Sequence, residues 1–126
     1  MIDVRSEIPG ISAVFVRRVA AYALKAEKSL MDLSILITGD RQIRKINKKF
    51  LKHDYATDVI SFPTGDIVIS ADTARRFAKE LKIPFREELA RYVVHGALHL
   101  LGYDDKKEPA HRRMHARQEA LLKKIL

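Results

Sequence analysis

The order of apolar and polar residues divides the 126-residue chain into short strand-like runs and longer stretches of helical periodicity. Residues 2–5 suit a short opening strand. After Pro9-Gly10, the residues Val16, Val19, Ala20, Ala23 and Leu24 recur at intervals of three and four, which predicts an amphipathic helix over about residues 12–28. Leu33-Ser34-Ile35-Leu36-Ile37 is apolar and β-branched and is closed by Gly39-Asp40, so it reads as a buried strand. Asp40 stands where an N-cap is expected for a second helix running to about residue 52. Val59-Ile60-Ser61-Phe62 and Ile67-Val68-Ile69 make two further strands, with Pro63-Thr64-Gly65-Asp66 as the turn between them. From Ser70 onward the pattern is helical. One helix covers about residues 71–82, and Pro84 opens the next in its first turn. That helix carries Leu89, Tyr92, Val93, Ala97, Leu98 and Leu101 and stops at Gly102. The last, over about residues 109–125, follows a charged turn. These elements predict a single α+β domain over residues 1–126, a small central sheet of three to four strands covered by about five helices. Strand order is not encoded in the pattern.

Composition narrows the function. Hydrophobic content of 47% with 32% charged residues fits an ordinary globular domain. No apolar run approaches the roughly 20 residues needed to cross a bilayer, so no membrane association is expected. The N-terminus MIDVRSEIPG has no basic segment followed by an apolar stretch, so no secretory signal is expected. Absence of cysteine excludes disulfides, thiolate nucleophiles and thiolate-bound zinc. Any metal must be held by His, Asp or Glu. A formal net charge of +8 on so small a chain suggests an anionic partner, nucleic acid being the commonest, against the alternative of a solubilising surface.

The candidate chemistry lies at the end of the fourth helix, in His95-Gly-Ala-Leu-His99-Leu-Leu-Gly102-Tyr103-Asp104-Asp105. Histidines four apart on a helix project from nearly the same face, about 6 Å apart along the axis. Two such nitrogens suit one ion bound at roughly 2.0–2.1 Å each. A pair alone is weak evidence, since most are surface or core histidines. Gly102 sharpens it, because a glycine at positive φ ends the helix and turns the chain back. Asp105, six residues beyond His99, then returns a carboxylate toward the pair. His95, His99 and Asp105 are thus the expected ligands of one divalent metal ion, with zinc the leading candidate and nickel or copper also compatible with two imidazoles and a carboxylate. Three protein ligands leave a fourth position for water, the pattern of a catalytic site. No side-chain base is assigned.

The spacing also resembles that of zinc peptidases, which place a glutamate general base directly after the first histidine. Here that residue is Gly96, which allows close packing or substrate approach instead, so a metallopeptidase ranks lowest. His111 and His115 repeat the four-residue spacing among Arg112, Arg113 and Arg117, but no third ligand or helix-ending glycine follows, so a solvated helix face is expected. His53, alone in a predicted loop, is given no role.

The second helix has a chemistry of its own. Arg41, Arg44, Lys45, Lys48, Lys49 and Lys52 occupy an arc of roughly 140° at about 100° per residue. Ile43, Ile46 and Phe50 fall opposite and are expected to face a core. No acid interrupts the stripe within the helix. Six cations on one face repel one another, and a phosphate backbone would relieve that repulsion. These six residues are the expected contacts to a nucleic-acid phosphate backbone, the alternative being a solvated face.

His95 to Asp104 is similar to the signature block of the YbeY family of bacterial rRNA maturation factors. Thr57-Asp58-Val59-Ile60-Ser61-Phe62-Pro63 and Gly65-Asp66-Ile67-Val68-Ile69-Ser70 look like two further blocks of that family, and Met114 with Gln118-Glu119 resembles its last helix. The resemblance implies a cytoplasmic, zinc-dependent endoribonuclease acting on single-stranded RNA, with roles in 16S rRNA 3′-end maturation and ribosome biogenesis and with rRNA, and the ribosomal subunit, as partners. Three departures stand out. Asp105 occupies the place of a usual third histidine, adding negative charge that weakens a bound ion as a Lewis acid. Leu51 occupies the place of a usual arginine. The connection from Phe62 to Gly65 is shorter than typical. The competing function class is an RNA- or ribosome-binding assembly factor with a mainly structural metal, which the loss of arginine at Leu51 favours.

Overall fold

The computed structural model describes residues 1–126 as one α+β domain. In chain order the elements are β1 (Ile2–Ser6), α1 (Ala13–Ala26), β2 (Leu33–Thr38), α2 (Asp40–Leu51), β3 (Val59–Ser61), β4 (Asp66–Ser70), α3 (Ala71–Leu81), α4 (Phe85–Leu100) and α5 (Ala110–Ile125). The sheet order is β1-β2-β4-β3. The first three strands are parallel, and β3 runs antiparallel to β4.

Strand alternation separates two unequal faces. Ile35, Ile37, Ile67 and Ile69 are fully buried in the main core with Val16, Val19, Val93 and Leu98 of α1 and α4. The residues between them point the other way, where α2 lies. There Ile43 packs on Val68 and Ile60, with Leu36, Ile46 and Phe62 at the margin. The α2 layer is small, so the β1–β2 end of that face is left uncovered. No helix is long and apolar enough to cross a membrane.

Helix starts follow the expected chemistry with one correction. Ser12 Oγ accepts from Phe15 N–H, and Ser70 Oγ from Thr73 N–H, each at 3.1 Å. In α2 the N-cap is Gly39, not Asp40. Asp72 Oδ2, from the first turn of α3, accepts the Asp40 N–H at 2.8 Å, doing what an N-cap side chain would do. Asp40 is thereby freed to accept from Ser70 Oγ at 2.6 Å, from Thr73 Oγ1 at 2.8 Å and from Arg76. A capping residue 32 positions away leaves no local pattern.

Candidate active site

The end of α4 builds the site. Gly102 N–H donates to His99 O at 3.2 Å and Tyr103 N–H to Leu98 O at 3.1 Å, the paired bonds of a Schellman turn. Gly102 has φ +101°, and a Cβ there would touch nothing, so the glycine is required for backbone conformation and not for space. Gly96 is the opposite case. A Cβ there would lie 2.9 Å from Ile67 Cγ2 and 3.2 Å from Ser61 Oγ. The helix rides against β3 and β4 at this residue, and Ser61 Oγ donates to Gly96 O at 3.1 Å. A glutamate, as in zinc peptidases, has no room.

His95, His99 and Asp105 line one cavity of about 410 Å³, together with Asn47, Leu51, His53, Tyr55, Thr57 and Asp58. The hydrogen bonds fix which imidazole nitrogen faces it. His99 Nδ1 is 3.1 Å from Tyr103 O, and a carbonyl only accepts, so Nδ1 carries the proton. His95 Nδ1 is 2.8 Å from Gln118 Oε1. The Gln118 amide is oriented by its Nε2, which donates to Glu119 Oε2 at 3.0 Å, and Glu119 is in turn held by Arg91 Nε at 2.9 Å and Nη2 at 3.0 Å. Arg91 therefore sets Glu119, Glu119 sets Gln118, and Gln118 makes His95 Nδ1 the donor. Both Nε2 lone pairs are left as possible ligands, the arrangement that outer-shell partners produce around metal-binding histidines. The network is electrostatically tight. Hydrogen bonding to Arg91 draws the Glu119 carboxyl below its usual range against the opposing effect of burial. Hydrogen bonding to Glu119 outweighs burial to raise the Arg91 guanidinium further.

His95 Nε2 lies 3.2 Å from Asp105 Oδ2. Two donors each about 2.0–2.1 Å from a tetrahedral ion are themselves about 3.3 Å apart, so this pair matches one edge of a zinc polyhedron. The donor set, two imidazole nitrogens and a carboxylate, also fits a divalent ion. The His99 ring, 6.3 Å from that of His95, is not drawn in with them, and no group of three ligating side chains is assembled.

Several neighbours differ from the sequence expectation. His53, given no role, lines the cavity, stacked on Tyr55 at 5.4 Å with the Tyr55 hydroxyl 3.2 Å from its Nδ1. His111 is exposed, as expected, and its Nδ1 also donates to Asp105 O at 2.8 Å, tying the Asp105 loop to α5. His115 is exposed, as expected. Asn47 is buried in α2 and its Nδ2 holds Tyr55 O at 3.0 Å. Asp58 Oδ1 accepts Val59 N–H at 2.7 Å at the cavity wall. Asp58 was signalled by the Thr57–Pro63 block; His53, Tyr55 and Asn47 carried no signal beyond lying near it.

The cationic stripe on α2 is less bare than the helix alone suggests. Asp54, from the following loop, sits 2.9 Å from Arg44 Nε and 3.8 Å from Lys48 Nζ. Arg41, Arg44, Lys45 and Lys48 form one shallow surface with it. Arg41, Lys45, Lys49 and Lys52 pair with no carboxylate. Phe50, expected to face a core, is 59% exposed. Leu51 lies on the cavity wall, one step around the helix from Arg44 and Lys48.

The fold and cavity define a single-domain α+β protein with a histidine–histidine–aspartate cleft beside a basic helix. Residues 6–126 match the family model described as Endoribonuclease YbeY. The chain is 44% identical over 115 residues to an Endoribonuclease YbeY of Myxococcus xanthus, covering 81% of this chain and 39% of that protein. It is 48% identical over 87 residues to that of Aquifex aeolicus, covering 61% and 58%. It is 36% identical over 126 residues to that of Porphyromonas gingivalis, covering 90% and 83%. The solution structure of TM1509 from Thermotoga maritima shares the fold, with a TM-score of 0.76 at 24% identity over 99% of this chain and 89% of that one. The chain belongs to the Endoribonuclease YbeY family.

Proposed function

We propose that the chain is a metal-dependent endoribonuclease that cleaves single-stranded RNA in the cytoplasm during rRNA maturation, 16S 3′-end processing included, in contact with the ribosomal subunit. His95 Nε2, His99 Nε2 and an Asp105 carboxylate oxygen would hold one divalent ion, with zinc the leading candidate. A bound ion supplies Lewis-acid polarisation of a phosphoryl oxygen and a water made more acidic. The protein's own part is positioning. Gln118 and Tyr103 O hold the protons of the two imidazoles at Nδ1, keeping Nε2 basic. His111 holds the Asp105 backbone. Arg44 and Lys48, beside the cavity at Leu51, would steer the RNA backbone toward it.

The observation that carries this reading is that three residues picked out by spacing line one cavity with both histidine tautomers fixed for Nε2 ligation. Elemental analysis of purified protein tests it. Wild type is expected to hold about one zinc per chain and Asp105→Ala much less; equal content in the two, or none in either, contradicts the site.

A second reading, an RNA- or ribosome-binding assembly factor with a structural metal, is favoured by one observation. The cavity wall carries apolar Leu51 where the resemblance places an arginine. His99→Ala separates the two. Loss of cleavage in a folded protein supports the enzyme, whereas loss of folding with RNA affinity intact supports the structural metal.

A further inference from the structure

A second cavity exceeds the histidine cleft in volume. It is a groove of about 550 Å³ on the α2 side of the sheet. Strand register explains it. On this face Arg5, Leu36, Val68 and Ile60 form one row across the sheet, and Asp3, Ser34 and Asp66 form the next. Helix α2 covers Val68 and Ile60, reaches Leu36 at its margin, and leaves Asp3, Arg5 and Ser34 open to the groove. The groove floor is therefore apolar at Leu36 and Val68 and polar at Asp3, Ser34 and Asp66. Its far wall is Phe50 of α2 and Phe62, whose rings meet edge to face at 5.8 Å.

The helix wheel places this groove relative to the cleft. Ile43 and Asn47 are buried beneath α2. Asn47 and Leu51 face the histidine cavity, and Ile46 and Phe50 face the groove. The helix is thus a ridge between the two, and its crest carries Arg41, Lys45 and Lys52. Lys49 leans over the Phe50 ring, with Nζ 5.3 Å from its centroid.

We propose that this groove is a nucleobase subsite, taking a base of a single RNA strand whose scissile phosphate lies in the histidine cavity and whose backbone crosses the α2 ridge. The inference rests on the RNA reading above and adds where a base away from the cut is held. Charge complementarity selects this occupant. The cations lie on the crest, where phosphates would pass, and the groove holds what a base requires: the exposed Phe50 ring for stacking, backed by half-buried Phe62, and the Asp3 and Asp66 carboxylates as acceptors for exocyclic amino groups. A helix of about 10–12 Å diameter is a ridge that a few nucleotides can span.

Binding of a fluorescein-labelled short single-stranded RNA, followed by anisotropy, tests this beside an abasic sugar–phosphate strand of the same length. Phe50→Ala is expected to weaken the base-bearing strand roughly 5- to 150-fold, the range of one lost base–aromatic stack. The slope of affinity against salt stays unchanged, because no phosphate contact is removed. Phe50→Tyr retains binding, and the abasic strand binds wild type and Phe50→Ala equally. Phe50 is exposed, so the variant keeps its fold, which circular dichroism checks. Unchanged affinity of Phe50→Ala for the base-bearing strand overturns the subsite and leaves the groove to a protein segment. Equal weakening of the abasic strand overturns it too, since Phe50 then acts through the ridge. A wild-type chain that binds neither strand refutes the RNA reading itself, a distinct result.

Discussion

Gln118 Oε1, on α5, receives the Nδ1 proton of His95, on α4, at 2.8 Å, across 23 positions of the chain. The bond turns a helical surface histidine into a directed donor, because the Gln118 amide cannot flip without breaking its own bond to Glu119. Removing an outer-shell partner of this kind typically weakens metal binding about 10- to 100-fold. Gln118→Leu is expected to lower zinc affinity by that factor, measured by competition with a chromogenic chelator. Unchanged affinity would mean that the orientation of His95 does not depend on α5.

Gly96 sits where α4 crosses the sheet, and its missing side chain is occupied by Ile67 and Ser61. Gly96→Ala should cost about 1–3 kcal/mol through overpacking, a drop in Tm of roughly 4–12 °C. Thermal unfolding reads this directly. A Tm equal to that of wild type would show that the α4–sheet contact yields without strain.

Burial alone would push the Asp40 carboxyl up, but hydrogen bonds from Ser70, Arg76 and Thr73 together outweigh it and hold the group below its usual value of 3.8. A carboxyl with a depressed folded value stabilises above its unfolded pKa and loses that contribution as pH falls through the folded one. The stability gap between wild type and Asp40→Asn is therefore expected to be widest near neutrality and to close below about pH 4. Urea unfolding across that range checks the sign; a gap that widens in acid contradicts it.

Leu51 lies on the cavity wall beside two cations already engaged by Asp54. Leu51→Arg adds a guanidinium able to grip phosphate in a bidentate manner. Its salt slope for single-stranded RNA should steepen by about 0.7, with faster cleavage. An unaltered slope would place the RNA path elsewhere.

Local patterns were legible wherever local physics decides structure. Helical spacing placed Val16 to Leu24 and Leu89 to Leu98, and Gly102 marked the turn after which Asp105 meets His95. What the sequence withheld depends on distant partners. Asp72 caps α2 from another helix, Asp54 folds back on the cationic stripe, and His111 reaches the Asp105 carbonyl. Phe50 misled because a helical period says which residues share a face, not whether the neighbouring layer is wide enough to cover them all. His53 escaped because only the path of the α2–β3 loop brings it to the cavity.

The most direct test of the central claim is cleavage of an end-labelled single-stranded RNA by protein stripped with a chelator, before and after one equivalent of zinc is restored. Metal dependence requires no internal cleavage by the stripped wild type, recovery with zinc, and no recovery for folded His99→Ala. Equal cleavage by stripped and zinc-restored wild type would contradict it.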